Sequence, residues 1–424
     1  AAFLAAAFAA VGMPPAGSFA APADAPTTGP NAGISAAAPS PVARIRFAQL
    51  VSPGTDGGPI RLAPRRAVEA PSPVAPTPTS PDPGGSLKSV PVFPSVGGGG
   101  PVKTEMLDDI DGDSIGTLGD GNGGLGAAMW QGMDRVFIER LVALMPERQR
   151  SPVMRDLSRR LLLSSAAAPR RRSGGPSLLA LRIGALFAAG DLGNALSLIA
   201  AAPVGQIEES LVRTEIEARL FRFDTAGACT VIRGPGQEFS GLFWQQASAF
   251  CLMLSDKRSE AALISDLLAE RSDAVHPSFF ATMERLGGAA PPVVESLSSP
   301  TALNIAMMRA ANLALPANVT EKASPAALQA IALSPNAPLS LRLGAAESAA
   351  LLGTLPAAVL LQIYGAVPLE EGDFKNAAER AGADWGPKGR ALIVRAALAE
   401  PSAMARAQLL QKGFAIARLK GGSG

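Results

Sequence analysis

Four aspartates in a glycine-rich segment have the spacing of a calcium-binding loop. Asp109, Asp111, Asp113 and Asp120 occupy positions 1, 3, 5 and 12 of a twelve-residue frame, which brings oxygen ligands around one hard cation. The frame has Ser114 where the sharp turn needs glycine, and its last position is aspartate rather than glutamate. Two interpretations stay open, a calcium loop and an acidic joint that leads into a folded domain, and the departures favour the joint.

The two cysteines, Cys229 and Cys251, could form a disulfide. In an oxidising compartment such a bond would close a loop of about 20 residues and contribute roughly 3 kcal/mol. If the helices break around residues 234–240, the two cysteines lie about 9 Å apart along the helix axes, beyond the roughly 4.4–6.8 Å usual between bonded Cα atoms. The alternative is a pair of small buried hydrophobic residues at a helix interface.

No recognised catalytic or cofactor-binding motif is present. The chain has no HExxH sequence, nucleophile elbow, Rossmann fingerprint or P-loop, and its only histidine is His276. We therefore predict neither an enzyme nor a bound cofactor. One catalytic alternative stays open, a hydrolase or lyase with two carboxylates far apart in sequence.

Composition indicates an alanine-rich helical protein. Of 424 residues, 47% are hydrophobic, only 5% are aromatic and 17% are charged, and alanine supplies most of the excess. Alanine favours helices and lets them approach closely. The formal net charge of +2 gives no general attraction to nucleic acid.

One local region is basic. It has no interleaved aromatic residues that would stack on single-stranded nucleic acid, so a solvated helix pair is favoured over a phosphate or anionic-lipid site. Its arginines are Arg148, Arg150, Arg155, Arg159, Arg160, Arg170, Arg171 and Arg172.

The sequence predicts three parts. Residues 1–25 resemble part of a signal peptide, since an apolar run precedes small-residue cleavage sites. The segment has no initiator methionine or basic n-region, so we interpret it as a remnant. Residues 26–124 read as a disordered Pro/Ala/Gly-rich tether, in which Val42–Val51 is either a docking motif or a chance apolar patch. Residues 125–420 form the predicted helical domain. We expect export to a periplasm and no stable membrane span.

The first predicted helix lies just after the tether. Helical spacing puts Trp130, Met133, Phe137, Leu141 and Leu144 on one face, which we expect to point into the core.

Turn signals then recur at a regular interval. Gly190 and Asp191 are followed by Phe223 and Asp224 after 33 residues, and Ser255 begins a third turn after another 32. Each turn separates two stretches with an apolar stripe, and a period near 33 is typical of stacked two-helix repeats. The sequence thus predicts an all-α protein built as an α-solenoid of antiparallel helix pairs.

The three turn segments, GDLGNALSLI, FDTAGACTVI and SDKRSEAALI, resemble the central turn and second helix of tetratricopeptide repeats. The resemblance covers residues 177–270, and residues 300–418 follow as unevenly spaced helices. It implies a superhelix whose concave face binds peptides or proteins. We therefore expect a non-catalytic scaffold or adaptor that binds a protein of the bacterial cell envelope. The alternative is a periplasmic protein that binds a glycan or small ligand.

Overall fold

The computed structural model describes residues 111–170, 177–203, 208–271, 275–290 and 293–420. In these ranges the chain forms α-helices and short 3-10 turns without β-strands, which confirms the predicted all-α class. The predicted signal-like segment, residues 1–25, and most of the predicted tether lie outside the described residues, as do Asp109 and the segment Val42–Val51.

The helices are short, from five to eighteen residues. In chain order they are α1 Arg135–Ala143, α2 Pro152–Leu163, α3 Leu178–Ala188, α4 Leu192–Ala200, α5 Glu209–Phe221, α6 Thr225–Arg233, α7 Leu242–Leu254, α8 Arg258–Ala269, α9 Pro277–Leu286, α10 Ala302–Ala310, α11 Pro325–Leu333, α12 Leu339–Leu352, α13 Ala357–Gly365, α14 Glu371–Lys375, α15 Ala377–Ala383, α16 Pro387–Ala399 and α17 Ala403–Lys420.

Three tight turns pair α3 with α4, α5 with α6, and α7 with α8. Gly190, Phe223 and Asp256 stand at the same position of these turns, with φ of 78°, 64° and 59°. In each turn the following N–H bonds back to the carbonyl five residues earlier, at 2.9, 2.9 and 3.0 Å. This is the Schellman pattern, in which a left-handed residue ends a helix. The turns recur at the predicted period because the same local chemistry recurs.

Packing between distant helices departs from a one-dimensional array. The helix α5 packs against α10 and α11, and α3 also contacts α11. In a solenoid each repeat contacts only its neighbours. The α3–α4 turn takes part in this packing, because a Cβ added at Gly190 would lie 2.7 Å from Thr354 Cγ2 and 3.1 Å from Ala326 N.

The hydrophobic interior of the described residues has one main core, a smaller N-terminal core and a third small cluster of Ala377, Leu392 and Ala396. The main core runs from Leu192 to Val394 and is rich in alanine where α11 meets α12. The N-terminal core joins Trp130, Ile138 and Ile183 with neighbouring leucines. Alanine allows α11 and α12 to pack closely, so much of the main core needs few aromatic side chains.

The predicted inward face of α1 is wrong except at Trp130. Ile138 and Val142 are buried, whereas Phe137 is 56% exposed and Leu144 is 81% exposed. Arg135 is itself buried and bonds to Asp113, so the face that carries Arg135, Ile138 and Val142 points inward. The sequence has apolar residues on two sides of this helix, and periodicity alone does not choose between them.

The folded part also begins earlier than the predicted boundary at residue 125. Gly112 and Asp113 are buried, and Thr117 and Leu118 donate backbone hydrogen bonds to the Leu163 carbonyl at the end of α2, at 2.9 and 3.0 Å. Residues 112–118, which the sequence assigned to the tether, therefore pack against the N-terminal core, whereas residues 119–123 are exposed.

Candidate protein-interaction surface

Local capping fixes the positions of α1 and α2. Asp134 caps α1 by accepting from Val136 N at 2.7 Å. Ser151 caps α2, and Pro152 takes the first helical position, where a missing N–H costs nothing. Both helices thus begin at defined residues, and their outward side chains are set by helical geometry.

Exposed large hydrophobic side chains are concentrated on these two helices. Seven of the fifteen in the described part of the chain fall between residues 133 and 157. They are Met133, Phe137, Leu141, Leu144, Val153, Met154 and Leu157. Scattered exposed apolar residues are ordinary on soluble proteins, but a contiguous group marks an interaction site. We call the group Phe137, Leu141, Leu144, Val153, Met154 and Leu157 the α1–α2 surface.

A groove runs through this surface. It has a volume of about 460 Å³ and is lined by Leu141, Leu144 and Met145 from the end of α1 and by Met154 of α2. Phe137 is not a lining residue, but it lies four residues before Leu141 on the same exposed face of α1. Methionine adapts its shape readily, which suits a surface that receives another side chain.

The rim of the groove is positively charged. Arg148 and Arg150 line the groove, and no aspartate or glutamate is among its lining residues. The side chains of Arg140 and Arg150 are exposed and have no ion-pair or hydrogen-bond partner within the ranges that the structure describes. Two cationic groups are therefore available to a partner at the edge of an apolar groove.

The loop and helix behind the groove are tied to the main body. Arg155 Nη1 donates to the carbonyls of Gln149 and Arg150 at 3.1 Å each, and to Leu351 at 3.2 Å. Arg148 donates to the Ala323 carbonyl. Burial lowers the pKa of Arg155, but the arginine range leaves it cationic at neutral pH. The hydrogen bonds of Arg148 and Arg155 thus hold the α1–α2 loop and α2 against the main body.

Two of the predicted calcium ligands, Asp111 and Asp113, have other partners in the structure, whereas Asp120 is exposed and Asp109 lies outside the described residues. Asp113 Oδ1 accepts from Ser177 Oγ at 3.1 Å and Leu179 N at 3.0 Å, and its Oδ2 lies 2.8 Å from Arg135 Nη2. Asp111 accepts from Asp113 N at 3.1 Å and so stabilises its own turn. Among the described residues no group of three or more histidine, cysteine or acidic side chains could hold a metal ion. Asp111 and Asp113 therefore accept hydrogen bonds from donors of the chain itself.

The pKa of Asp113 reflects these contacts. Burial by itself would raise the pKa, but the N–H of Leu179, the Arg135 guanidinium and the Ser177 hydroxyl outweigh burial and lower it. Asp113 is therefore a buried anion with a complete set of donors, the condition under which a buried charge is tolerated.

Arg182 is a fully buried cation that the sequence analysis did not single out. Its guanidinium donates to four carbonyls, at 2.7 Å to Leu162, 2.6 Å to Ile115, 2.9 Å to Ser164 and 3.3 Å to Asp113. Burial lowers its pKa to about 10, and the charge of Asp113 opposes that shift. Arg182 joins residues 113–115 and the end of α2 to α3. Its only sequence signal is a lone arginine on an otherwise apolar helix.

A second network, also missed from the sequence, lies in the C-terminal half. Tyr364 Oη donates to Glu347 Oε1 at 2.7 Å, and Arg390 binds the same carboxylate at 2.8 and 2.5 Å. Burial and the adjacent Glu347 raise the pKa of Tyr364 far above its ordinary value. The hydrogen-bonding groups of Tyr364, Glu347 and Arg390 are paired with one another, so we assign the network a structural role.

The structure joins Cys229 and Cys251 in a disulfide, with Cα atoms 5.5 Å apart. The predicted 9 Å offset between them is wrong. Helix α6 ends at Arg233 and α7 begins at Leu242, and a 3-10 turn at Pro235–Glu238 occupies the connection between them. The sequence estimate assumed a simple break between two level helices and did not include this turn.

His276 has a local role. It caps α9, where its Nδ1 accepts from Ser278 N at 3.2 Å and lies 2.9 Å from Ser278 Oγ. The residue immediately after it is Pro277, the first residue of α9.

A cleft of about 520 Å³, lined by both polar and apolar groups, lies where α2, the α3–α4 turn and the end of α12 meet. Its charged lining is balanced, with Arg155, Arg159 and Arg222 against Glu147, Asp156 and Asp191. Most of these groups are occupied, since Asp156 pairs with Arg159 and Asp191 caps α4. Few charged side chains in this cleft are therefore left to bind a charged ligand.

No protein-family model, curated protein or solved structure matches this chain. Its function must therefore be inferred from its own residues. In the part of the chain that the structure describes, no helix is both long and apolar enough to cross a membrane.

Proposed function

We propose that this protein is a non-catalytic scaffold or adaptor of the bacterial cell envelope, and that it binds a partner protein through the α1–α2 surface. The observation that carries the proposal is the concentration of exposed apolar side chains around a braced, cation-rimmed groove. Such surfaces are typical of protein-binding sites. Solvation of so many large apolar groups would otherwise be unfavourable.

The energetic argument favours a protein partner over a small ligand. Burying one Leu or Phe side chain contributes about 1.5–3 kcal/mol. Two or three such anchors contribute about 3–9 kcal/mol, which is comparable to the cost of association, so a specific complex also needs the further contacts that a protein partner supplies. Phe137 and Leu144 are the most exposed of the aromatic and leucine anchors on α1, at 56% and 81%.

The proposed location rests on two features. The disulfide between Cys229 and Cys251 is of a kind that persists in oxidising compartments such as a periplasm. The apolar run Ala1–Met13, followed by small residues, has the composition of a signal peptide. Together they support an exported protein.

The tetratricopeptide-like interpretation is part of the proposal for residues 177–270. The three helix pairs α3–α4, α5–α6 and α7–α8 with their repeated left-handed turns support it. Helix α5 also contacts α10 and α11, which lie outside these three pairs. We place the partner on α1 and α2 and not on a concave face, because the exposed apolar side chains are concentrated there.

The alternative is a glycan or other small ligand in the cleft of about 520 Å³ between α2, the α3–α4 turn and the end of α12. Its size and its mixture of carboxylates, amides and guanidinium groups favour an uncharged polar molecule. The carboxylates Asp156 and Asp191 already have structural partners, which argues against a carboxylate-dependent hydrolase or lyase there.

Site-specific photocrosslinking tests the proposal. A photoreactive amino acid at position 144, in the full chain produced in native cells, should crosslink one protein of the envelope. The matched control is position 263 on α8, where Leu263 is 62% exposed but lies outside the α1–α2 surface. Crosslinking at both positions to the same mixture of proteins, or at neither, would contradict the proposal.

A further inference from the structure

We infer that the partner contributes an acidic amphipathic helix, which seats its apolar face in the α1–α2 groove and its carboxylates on Arg140 and Arg150. This inference rests on the proposed function, because it names the partner of the same surface. It is carried by the shape of the groove and by the sign of its rim.

The shape favours a helix. Phe137, Leu141 and Leu144 form a row on α1 that spans seven residues, or about 10 Å at 1.5 Å per residue. This matches the span between the first and last anchors of a helix with apolar residues at i, i+3 or i+4, and i+7. The described residues of α1 and α2 offer no exposed strand edge on which an extended peptide could add a strand.

The charge of the rim favours acidic flanks. Arg148 and Arg150 line the groove, and Glu147, which precedes Arg148, is not among its lining residues. Arg140 lies three residues after Phe137 and four before Leu144, so it adjoins the apolar row. Arg148 already donates to Ala323, which leaves Arg140 and Arg150 to bind carboxylates. Guanidinium groups bind carboxylates with two parallel hydrogen bonds, so they also select orientation.

A second apolar patch provides the contrast. Leu254, Leu263 and Leu267 are exposed on α7 and α8. Beside them Arg258 pairs with Asp256 and Lys257 with Glu260, and the exposed Arg271 follows Glu270 directly in the chain. Because charges of both signs surround that patch, it has no purely cationic rim to select an acidic partner, which makes it the matched control surface.

Charge also argues against the chain's own Val42–Val51 segment as the occupant. That segment contains Arg44 and Arg46 and no acidic residue, so its charge has the same sign as the rim. Like charges brought together across an interface are unfavourable and reduce association rates.

Two designed peptides test the inference. Both carry leucine at i, i+3, i+4 and i+7, and they differ only in having glutamate or lysine on the polar face. Fluorescence anisotropy with the full chain should show that the acidic peptide binds about tenfold or more tightly than the basic one. The preference should fall when salt is raised, because exposed charges are screened.

Variants assign the preference to the rim. Arg140→Gln with Arg150→Gln should remove most of the charge preference, whereas Arg258→Gln on α8 should leave it unchanged. Leu144→Ser, which removes the apolar anchor without adding a charge, should weaken both peptides. Equal binding of the two peptides, or tighter binding of the basic one, would overturn the inference while the proposed surface stands if Leu144→Ser weakens both.

Two further outcomes would also overturn the inference. Binding of neither peptide would rule out an acidic helix as the occupant, and the photocrosslinking experiment would still decide the proposed function independently. A concentration-dependent dimer in analytical ultracentrifugation that Leu144→Asp abolishes would make a second copy of the chain the occupant.

Discussion

The Asp113 carboxylate lies 2.8 Å from the guanidinium of Arg135, and this contact decides which face of α1 meets the core. Arg135 is the first residue of α1, and Ile138 and Val142 follow it on the buried side. Once Arg135 points inward, Phe137, Leu141 and Leu144 must point outward. A buried ion pair thus sets the orientation of the surface that we propose to be functional.

Replacing Asp113 tests this relationship. Asp113→Asn leaves Arg135 with Glu139 as its acidic partner and should lower the free energy of unfolding by about 2–3 kcal/mol, because a buried cation loses a counter-charge. Urea denaturation measures the loss. Asp120→Asn is the matched control, since Asp120 is exposed and should change stability by less than about 0.5 kcal/mol. Stabilisation by added calcium that both substitutions abolish would support a calcium loop instead.

Acid should reveal the same contact. The pKa of Asp113 is lowered in the folded protein, so its contribution is present above the unfolded pKa of about 3.9 and is lost as pH falls through the folded pKa. The difference in unfolding free energy between the wild type and Asp113→Asn should therefore shrink below about pH 4. A difference that stays constant into strong acid would contradict this assignment.

Arg182 should tolerate no conservative replacement. Lysine keeps the positive charge but presents a compact ammonium group that cannot reach the four carbonyls around this guanidinium. We expect Arg182→Lys to cost about 2–4 kcal/mol in urea denaturation. Arg258→Lys, at an exposed ion pair, serves as the control. If both variants unfold like the wild type, the buried network does not hold the N-terminal segment.

The disulfide should contribute measurably to stability. Its sequence separation of 22 residues corresponds to about 3 kcal/mol in the chain-entropy account. Replacing Cys229 and Cys251 together by serine should lower the free energy of unfolding by about that amount. Thiol titration of unfolded, unreduced protein from an exported preparation should find no reactive thiol. Two reactive thiols would mean that the bond does not form.

Local signals in the sequence were enough for the repeated turns. Gly190, Phe223 and Asp256 end helices at a period that can be read directly, and Asp191 and Asp224 cap the helices that follow. Capping and helix termination depend on neighbouring residues alone. The all-α class followed from these turns and from the alanine content.

Features that depend on distant residues could not be read in the same way. The inward face of α1 depends on Asp113, 22 positions before Arg135. The network of Glu347 and Arg390 joins residues 43 apart. The candidate surface could not be predicted from the sequence, because the apolar periodicity of α1 predicted that this face would be buried. Its exposure follows from the ion pair, which a single sequence does not reveal.

The most direct test of the account is quantitative recovery of the partner from the native envelope fraction after general chemical crosslinking, which leaves positions 144 and 263 free for substitution. Wild type, Leu144→Asp and Leu263→Asp chains would be compared at equal expression, with urea denaturation as a check that all three fold. We predict that Leu144→Asp reduces recovery about tenfold or more, in line with loss of a central apolar anchor, while Leu263→Asp leaves recovery unchanged. Equal recovery with Leu144→Asp and wild type would contradict the claim that the α1–α2 surface binds the partner.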